Sequence, residues 1–293
     1  MSATLCIVIV SYNVRDRLRD CLHNLSGQRV IVADNASRDD SAAMVRTEFP
    51  SVELIANTDN RGFAAACNQG IAASAEDLIF ILNPDTLVTP AALQTLLDVM
   101  HAEPQAGACG PRILNSDGSL QPSCRRFPTL PRLLLDELGF GKLFPRSKFF
   151  GGYRMTWWAH DELREVDQLM GAALLLRRAA LQQIGAFDER FFMYFEEVDL
   201  CLRLHDAGWK VLFVPGAQVV HHGGQSARQV LQEATLYRYR SLGAFYRKHY
   251  PSWHLTVLKA AIGAAILARL VVYTFQPAKR AAFSAVLRQL SSL

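Results

Sequence analysis

Thr4-Leu5-Cys6-Ile7-Val8-Ile9-Val10, followed at once by Ser11-Tyr12-Asn13, is a continuous apolar, β-branched run that stops in polar residues. A strand that is apolar on both faces belongs in the middle of a parallel sheet, covered by helices above and below. The pattern repeats outward from it. Val30 to Ala33 ends in Asp34-Asn35-Ala36-Ser37, Val52 to Ala56 runs into Asn57 to Gly62, and Leu78 to Leu82 stops at Asn83-Pro84-Asp85-Thr86. Between these strands lie helical patterns with Leu18, Cys21, Leu22 and Leu25 on one side, then Ser41 to Glu48, Phe63 to Ala73, and a helix opened by Pro90 that runs to about Ala102. Alternating β and α units over residues 4 to 102 predict an α/β, doubly wound, mostly parallel sheet, with ligands at the C-terminal ends of its strands. No GxGxxG follows any of these strands, which disfavours a dinucleotide fold.

A second informative stretch is Phe187-Asp188-Glu189-Arg190-Phe191-Phe192-Met193-Tyr194-Phe195-Glu196-Glu197-Val198-Asp199-Leu200-Cys201-Leu202-Arg203, five acids among aromatics. It predicts a helix from Glu196 to Ala207, stopped by Gly208. At about 100° per residue, Glu197 falls inside the apolar arc of Val198, Leu200, Cys201, Leu202 and Leu204. Asp199 and Arg203, at i,i+4 spacing, are placed on the opposite, outer side, with Glu196 close to Arg203. A carboxylate turned inward is either a charge favoured by the helix dipole or a desolvated general base.

Charge is unevenly spread. Residues 225–293 carry ten Lys or Arg against Glu233, a net of +9, and the first 224 residues bring the whole chain back to +4. Leu255 to Phe275 is apolar for about the width of a bilayer but holds Lys259 and Arg269. Lying in a membrane interface, with Lys279, Arg280 and Arg288 toward anionic headgroups, fits better than spanning; an ordinary packing helix is the alternative. The segment from Gln121 to Glu165 has prolines at 122, 128, 131 and 145, Phe149-Phe150, Trp157-Trp158 and many arginines, as expected of a flap or acceptor-binding insertion. Six cysteines without metal-ligand spacing predict small core residues in a reducing compartment. Met1-Ser2-Ala3-Thr4 lacks a basic n-region, so the expected location is cytoplasmic, peripheral on the inner face of the membrane.

Six pieces in order resemble the inverting glycosyltransferases of family 2, rhamnosyltransferase-like branch: Val8 to Asn13, Val32 to Ser37, Asn60 to Ala64, Leu82 to Asp85, the glutamate-pair stretch, and Val220 to Ser226. The resemblance implies a GT-A fold over residues 1–250, with a nucleotide-sugar half (1–115), the insertion (116–165) and an acceptor half (166–250); residues 251–293 would be basic, apolar helices. It implies that Ser11, Tyr12, Asn13, Asp34, Asn35, Ser37, Asn60, Arg61, Gly62 and Asn83 contact the nucleotide-sugar, although Asn, Asp and Ser there also suit plain turns. Asp85 and His221, with His222 as the alternative histidine, would hold Mg²⁺ or Mn²⁺; Asn83 stands where the DXD pattern has Asp. Glu197 would be the base, Glu196 its rival, and Asp188 a further residue for holding the acceptor. The implied donor is dTDP-L-rhamnose, or else a UDP-hexose, and the acceptor a polyprenyl-diphosphate-linked or other glycan. Nucleic acid is not an expected partner. A catalytically idle glycan- or nucleotide-binding relative and a nucleotide-sugar hydrolase are the competing functions.

Overall fold

The computed structural model describes residues 4–223 and 231–292. Along the chain run β1 (Leu5–Ser11), α1 (Arg15–Asn24), β2 (Val30–Asp34), α2 (Ser41–Glu48), β3 (Glu53–Ala56), α3 (Phe63–Ala73), β4 (Leu78–Leu82), β5 (Thr86–Val88), α4 (Pro90–Ala102) and β6 (Ala106–Leu114). Then come β7 (Cys124–Arg125), α5 (Leu130–Glu137), α6 (Phe140–Leu143), β8 (Arg164–Glu165), β9 (Gln168–Leu169), β10 (Ala173–Arg177), α7 (Arg178–Ile184), α8 (Glu196–Asp206) and β11 (Lys210–His221). Three helices follow: α9 (Leu231–His249), α10 (Ser252–Val272) and α11 (Pro277–Arg288).

Among the described residues the main sheet has the order β3-β2-β1-β4-β10-β6-β11-β5, with β8 on β11. The α/β expectation holds, and β3, β2, β1 and β4 are mutually parallel. The far half is mixed because the chain leaves β6 and re-enters the sheet at the same end. Ala173 therefore pairs with Leu82, and β10 runs antiparallel between β4 and β6. This return carries Gly171-Ala172 across the mouth of the sheet. Helix α3 lies close on β1, for a Cβ at Gly70 would fall 2.3 Å from Val8 Cγ1.

Sequence predicts two short strands around a Pro215-Gly216 turn, whereas the structure has one strand from Lys210 to His221. Its register on β6 slips between Val214 and Gln218, so Pro215-Gly216 is a bulge and not a reversal. Proline has no N–H for a ladder and is accommodated at such an irregularity.

Two apolar clusters sandwich the sheet, and a third joins Leu130 and Leu133 of α5, Phe191, Phe195 and Val198 of the acidic stretch, and Phe245, Leu258, Ile262 and Val286 of the last three helices. Packing is thus continuous across residue 250. The two charges that interrupt the apolar run are bonded within the protein: Arg269 Nη1 donates to Glu137 Oε2 at 2.8 Å and Lys259 Nζ to the Ser291 carbonyl at 2.8 Å. Arg269 lies on the buried side of α10 because Leu258, Ile262 and Ile266 precede it at helical spacing. The outward side bears Trp253, Val257, Leu267 and Val271, and Phe275 beyond the helix end is 94% exposed. By length and composition α10 could cross a membrane. The six cysteines are buried and unpaired, and burial pushes the thiols of Cys124 and Cys201 up to about 12, which makes them poor nucleophiles.

Candidate active site

The strand ends β1, β2 and β4 deliver the residues expected to meet a nucleotide. Asn13, at φ +54°, receives a hydrogen bond on its side chain from Arg38 N–H (2.7 Å) and donates its own N–H to Ser37 Oγ (2.9 Å), which ties the two loops together. Asp34 is buried; its Oδ1 accepts the Ser37 N–H, while its Oδ2 and the buried Ser11 Oγ have no partner among the described residues. Buried polar atoms are nearly always bonded, so these two lack a partner that a bound group could supply. Tyr12 is exposed at the rim. Next to it a cavity of about 570 Å³ is lined by Asn13, Arg15, Arg17 and Asp39 among others. Asn35 donates to the Gly62 carbonyl (3.0 Å) and Asn60 Oδ1 accepts the Gly62 N–H (3.0 Å), so these two support the loop, while Arg61 extends into solvent.

At the end of β4, the Asn83 N–H donates to the Ala172 carbonyl at 2.9 Å and Asp85 is 8% exposed. Of the doubled histidine, His221 turns toward this loop. Its Nε2 lies 3.2 Å from Asp85 Oδ1 and 3.3 Å from Asn83 Nδ2, whereas His222 Nδ1 meets Ser116 Oγ. Gln121 is the residue that sequence reasoning missed. Its Oε1 sits 2.7 Å from His221 Nδ1, and its amide is oriented by donating to Asn115 Oδ1. With Nδ1 carrying the proton, a neutral His221 directs its Nε2 lone pair at the Asp85 carboxylate. Two acceptors facing each other suit a divalent cation. Among the described residues no three His, Cys, Asp or Glu close on one point, so a cation held by Asp85 and His221 would draw its other ligands from outside the chain. Nothing in the local sequence signals Gln121, which lies 100 residues from His221.

Helix α8 starts with both glutamates in the protein. Two successive non-glycine residues with left-handed backbone, Tyr194 and Phe195 (both φ +68°), turn the chain into it, a conformation that costs about 1–2 kcal/mol per residue. Phe195 is held there against Phe245. Burial pushes the Glu196 carboxyl well above its ordinary range, and the neighbouring Glu197 charge pushes it further. Burial also raises Glu197, but the backbone N–H groups of the helix start and then Arg125 oppose that rise. Helical phase sets Glu196 outside near Arg203, but it is 5% exposed and Glu197 keeps more surface, because the chain entering α8 at Tyr194-Phe195 covers the first turn. A Cβ at Gly171 would lie 3.6 Å from Glu197 Cβ. Since Asn83 is bonded to the next residue, Ala172, the Asp85 loop and Glu197 meet across this one peptide.

Two other acids, Asp199 and Asp188, both meet Lys248 of α9. Asp199 was expected outside; it is fully buried, because α9 covers that side of α8. It pairs with Arg203 (2.8 Å) as expected, and also with Lys248 (2.6 Å) and His249 (2.7 Å). Asp188, expected to hold an acceptor, is engaged within the protein by Arg190 and Lys248, which keep its carboxyl well below the usual range. Helical phase sees only one helix, and so could not place Lys248 and His249. The last pieces of the histidine motif, Gly224-Gln225-Ser226, lie outside the described residues.

Comparison with known proteins supports the same assignment. The profile described as "Glycosyl transferase family 2" matches residues 6–159. The chain is 34% identical over 269 residues to an N-acetylglucosaminyl-diphospho-decaprenol L-rhamnosyltransferase of Mycobacterium tuberculosis (strain H37Rv), covering 86% of this chain and 87% of that one. It is 25% identical over 250 residues to the rhamnosyltransferase WbbL of Escherichia coli K12, covering 80% and 89%. In structure it is similar to the mannosyltransferase PcManGT of Pyrobaculum calidifontis in complex with GDP-Man and Mn²⁺, with TM-score 0.58, 15% identity, and coverage of 99% and 88%. GalNAc-T7 with UDP, GalNAc and Mn²⁺ gives TM-score 0.55 at 15% identity over 75% of this chain and 44% of that one. The fold is GT-A, and the chain belongs to glycosyl transferase family 2, as a rhamnosyltransferase-like glycosyltransferase.

Proposed function

We propose that the protein transfers L-rhamnose, with inversion, from dTDP-rhamnose to a hydroxyl of a polyprenyl-diphosphate-linked saccharide at the cytoplasmic face of the membrane, in the assembly of a bacterial cell-surface glycan. One observation carries the reading: the Asn83–Asp85 loop and the Glu196-Glu197 pair converge on Gly171-Ala172. The similarity to a lipid-linked-acceptor rhamnosyltransferase over most of both chains supports the choice of sugar and acceptor.

In this reading Asp34 and Ser11, with their unpartnered oxygens, receive base and ribose, and Arg61 reaches the diphosphate. Asp85 and His221 would hold Mg²⁺ or Mn²⁺, which supplies charge neutralisation to the leaving nucleoside diphosphate. Glu197 is the base. Glu196 is the more deeply buried carboxyl, and the charge of an ionised Glu197 raises it further, so ionisation of Glu197 keeps Glu196 protonated. The Glu197 carboxylate takes the proton of the acceptor hydroxyl, and the oxygen bonds to the anomeric carbon from the face opposite the nucleotide. The carbon–oxygen bond to the diphosphate breaks, its electron pair staying on the phosphate oxygen. The outward apolar side of α10 and Phe275 rest on the membrane that carries the acceptor.

The test is product analysis. Wild-type protein is incubated with Mg²⁺ or Mn²⁺ and dTDP-rhamnose, then with UDP-hexoses, each with and without a GlcNAc-diphospho-lipid. Acceptor-dependent release of dTDP with a rhamnosylated lipid is expected. Use of UDP-hexoses in preference would replace the donor assignment, and release unaffected by acceptor would indicate a hydrolase.

A further inference from the structure

The insertion holds a cavity that none of the residues above uses. It measures about 380 Å³, within the range of small-molecule sites, and three cations, Arg126, Arg132 and Lys148, line it together with the apolar Pro131, Leu135 and Phe149. No acid lines it. From Cys124 to Phe150 the chain carries six Lys or Arg and two acids, Asp136 and Glu137. Both acids are already spent: Asp136 Oδ2 accepts from Arg154 (2.8 Å) and Glu137 Oε2 from Arg269 (2.8 Å). Arg132 is half-engaged, 3.5 Å from Asp167, but among the described residues no group pairs with the side chain of Arg126, and Lys148 Nζ meets only the face of Trp157 at 5.0 Å. Two exposed cations over a cavity with an apolar wall form a site for a dianionic group that carries a hydrocarbon chain.

Its place in the fold says which group. Strand β7, which Arg126 follows, pairs with β9: Gln168 Nε2 donates to the Arg126 carbonyl at 2.8 Å, and the Met170 N–H donates to the Ser123 carbonyl at 2.9 Å, one residue before the Gly171 that stands against Glu197. In the outward direction the cavity is bounded by Phe149, 71% exposed, and the same insertion exposes Leu143 and Phe144. The cavity thus has apolar surface on its outer side and a backbone link through β7 and β9 to the residue that faces Glu197. A lipid-linked acceptor has the same order of parts: a sugar hydroxyl, then a diphosphate, then the chain.

We infer that the Arg126–Lys148 cavity binds the diphosphate of the lipid-linked acceptor, with the first isoprene units against Phe149 and Leu135. This rests on the lipid-diphosphate reading of the acceptor. The donor diphosphate, by contrast, is placed at Arg61 and Asp85, across the sheet mouth.

Two measurements test it. In EDTA, to silence the donor site, farnesyl diphosphate is titrated while Trp fluorescence is followed, Trp157 lying beside Lys148. Wild-type protein should bind it, and Arg126→Ala/Lys148→Ala should weaken binding about 10- to 100-fold, the loss expected for charge-assisted hydrogen bonds. Farnesol should not bind, and Asp85→Ala should bind like wild type. Equal competition by phosphatidylglycerol vesicles would overturn the assignment in favour of a general headgroup site. In the transfer assay, the double variant should raise the KM for a GlcNAc-diphospho-lipid by a similar factor, with the KM for octyl-GlcNAc unchanged. An equal change for both acceptors, or no change, would overturn the subsite and leave the transferase reading intact. Binding that depends on Arg126 and Lys148, without any transfer to a GlcNAc-diphospho-lipid, would instead sink the acceptor reading. Arg126→Lys/Lys148→Arg, which keeps both charges, should restore most of the binding and guards against a folding defect.

Discussion

Gly62 stands against the main chain of Phe192: a Cβ at position 62 would come 2.5 Å from the Phe192 carbonyl oxygen, and the Phe63 N–H donates to that same oxygen at 2.7 Å. The loop assigned to the donor diphosphate is therefore stitched to the stretch that carries the glutamates. Gly62 also has φ +83°, where other residues are strained by about 1–3 kcal/mol. Gly62→Ala should lower the unfolding midpoint and weaken nucleotide-sugar binding together. Calorimetric titration of the donor beside thermal unfolding checks this, and unchanged binding would separate the loop from the donor.

Glu197→Gln should lower turnover by about 10²- to 10⁴-fold, the usual worth of a general base, with donor affinity retained. Activity of the wild type should rise with pH through a value above 4.5, since burial raises the Glu197 carboxyl and only the ionised form accepts a proton. A pH–rate profile on kcat/KM reads this directly, and wild-type turnover in the variant would remove Glu197 from the mechanism.

Glu196→Gln tests the same burial through stability. A carboxyl raised in the folded state binds more protons there than in the unfolded chain, so its contribution falls as pH climbs above 4.5. The variant should therefore be more stable than wild type at pH 8 and lose that advantage near pH 4. Thermal unfolding at the two pH values decides it, and equal midpoints at pH 8 would contradict the burial argument.

Asp199→Asn should be among the most damaging substitutions away from the donor site. It leaves Arg203, Lys248 and His249 without their shared anion, and breaking a buried ion pair costs about 3–5 kcal/mol. Although burial disfavours its charge, the hydrogen bonds from His249, Lys248 and Arg203 hold its carboxyl below 3.8. The stabilisation is present above that pH and disappears as pH falls through the lowered value. Urea unfolding of wild type and variant at pH 7 measures the difference.

Membrane attachment can be tested without removing helices whose inner faces are part of the third core. Leu267→Ser/Val271→Ser/Phe275→Ser changes three exposed apolar residues of α10 and the turn after it, so folding should be preserved and flotation with lipid vesicles strongly reduced. Lys259→Ala should have little effect on flotation, because its ammonium is bonded to the Ser291 carbonyl.

The sequence by itself determined the parallel half of the sheet, its strand ends and the inward turn of Glu197. These follow from local periodicity: five-residue apolar runs such as Leu78–Leu82 have no polar face to show to water, and α8 is amphipathic over its whole length. Tertiary structure alone decided which partners lie between distant segments. Gln121 reaches His221 across 100 residues, Lys248 and His249 cover an Asp199 that helical phase assigned to solvent, and Glu137 takes Arg269 from 132 residues away. A charge can be buried wherever a counter-charge arrives from elsewhere in the chain, and residue spacing along one element holds no information about that arrival.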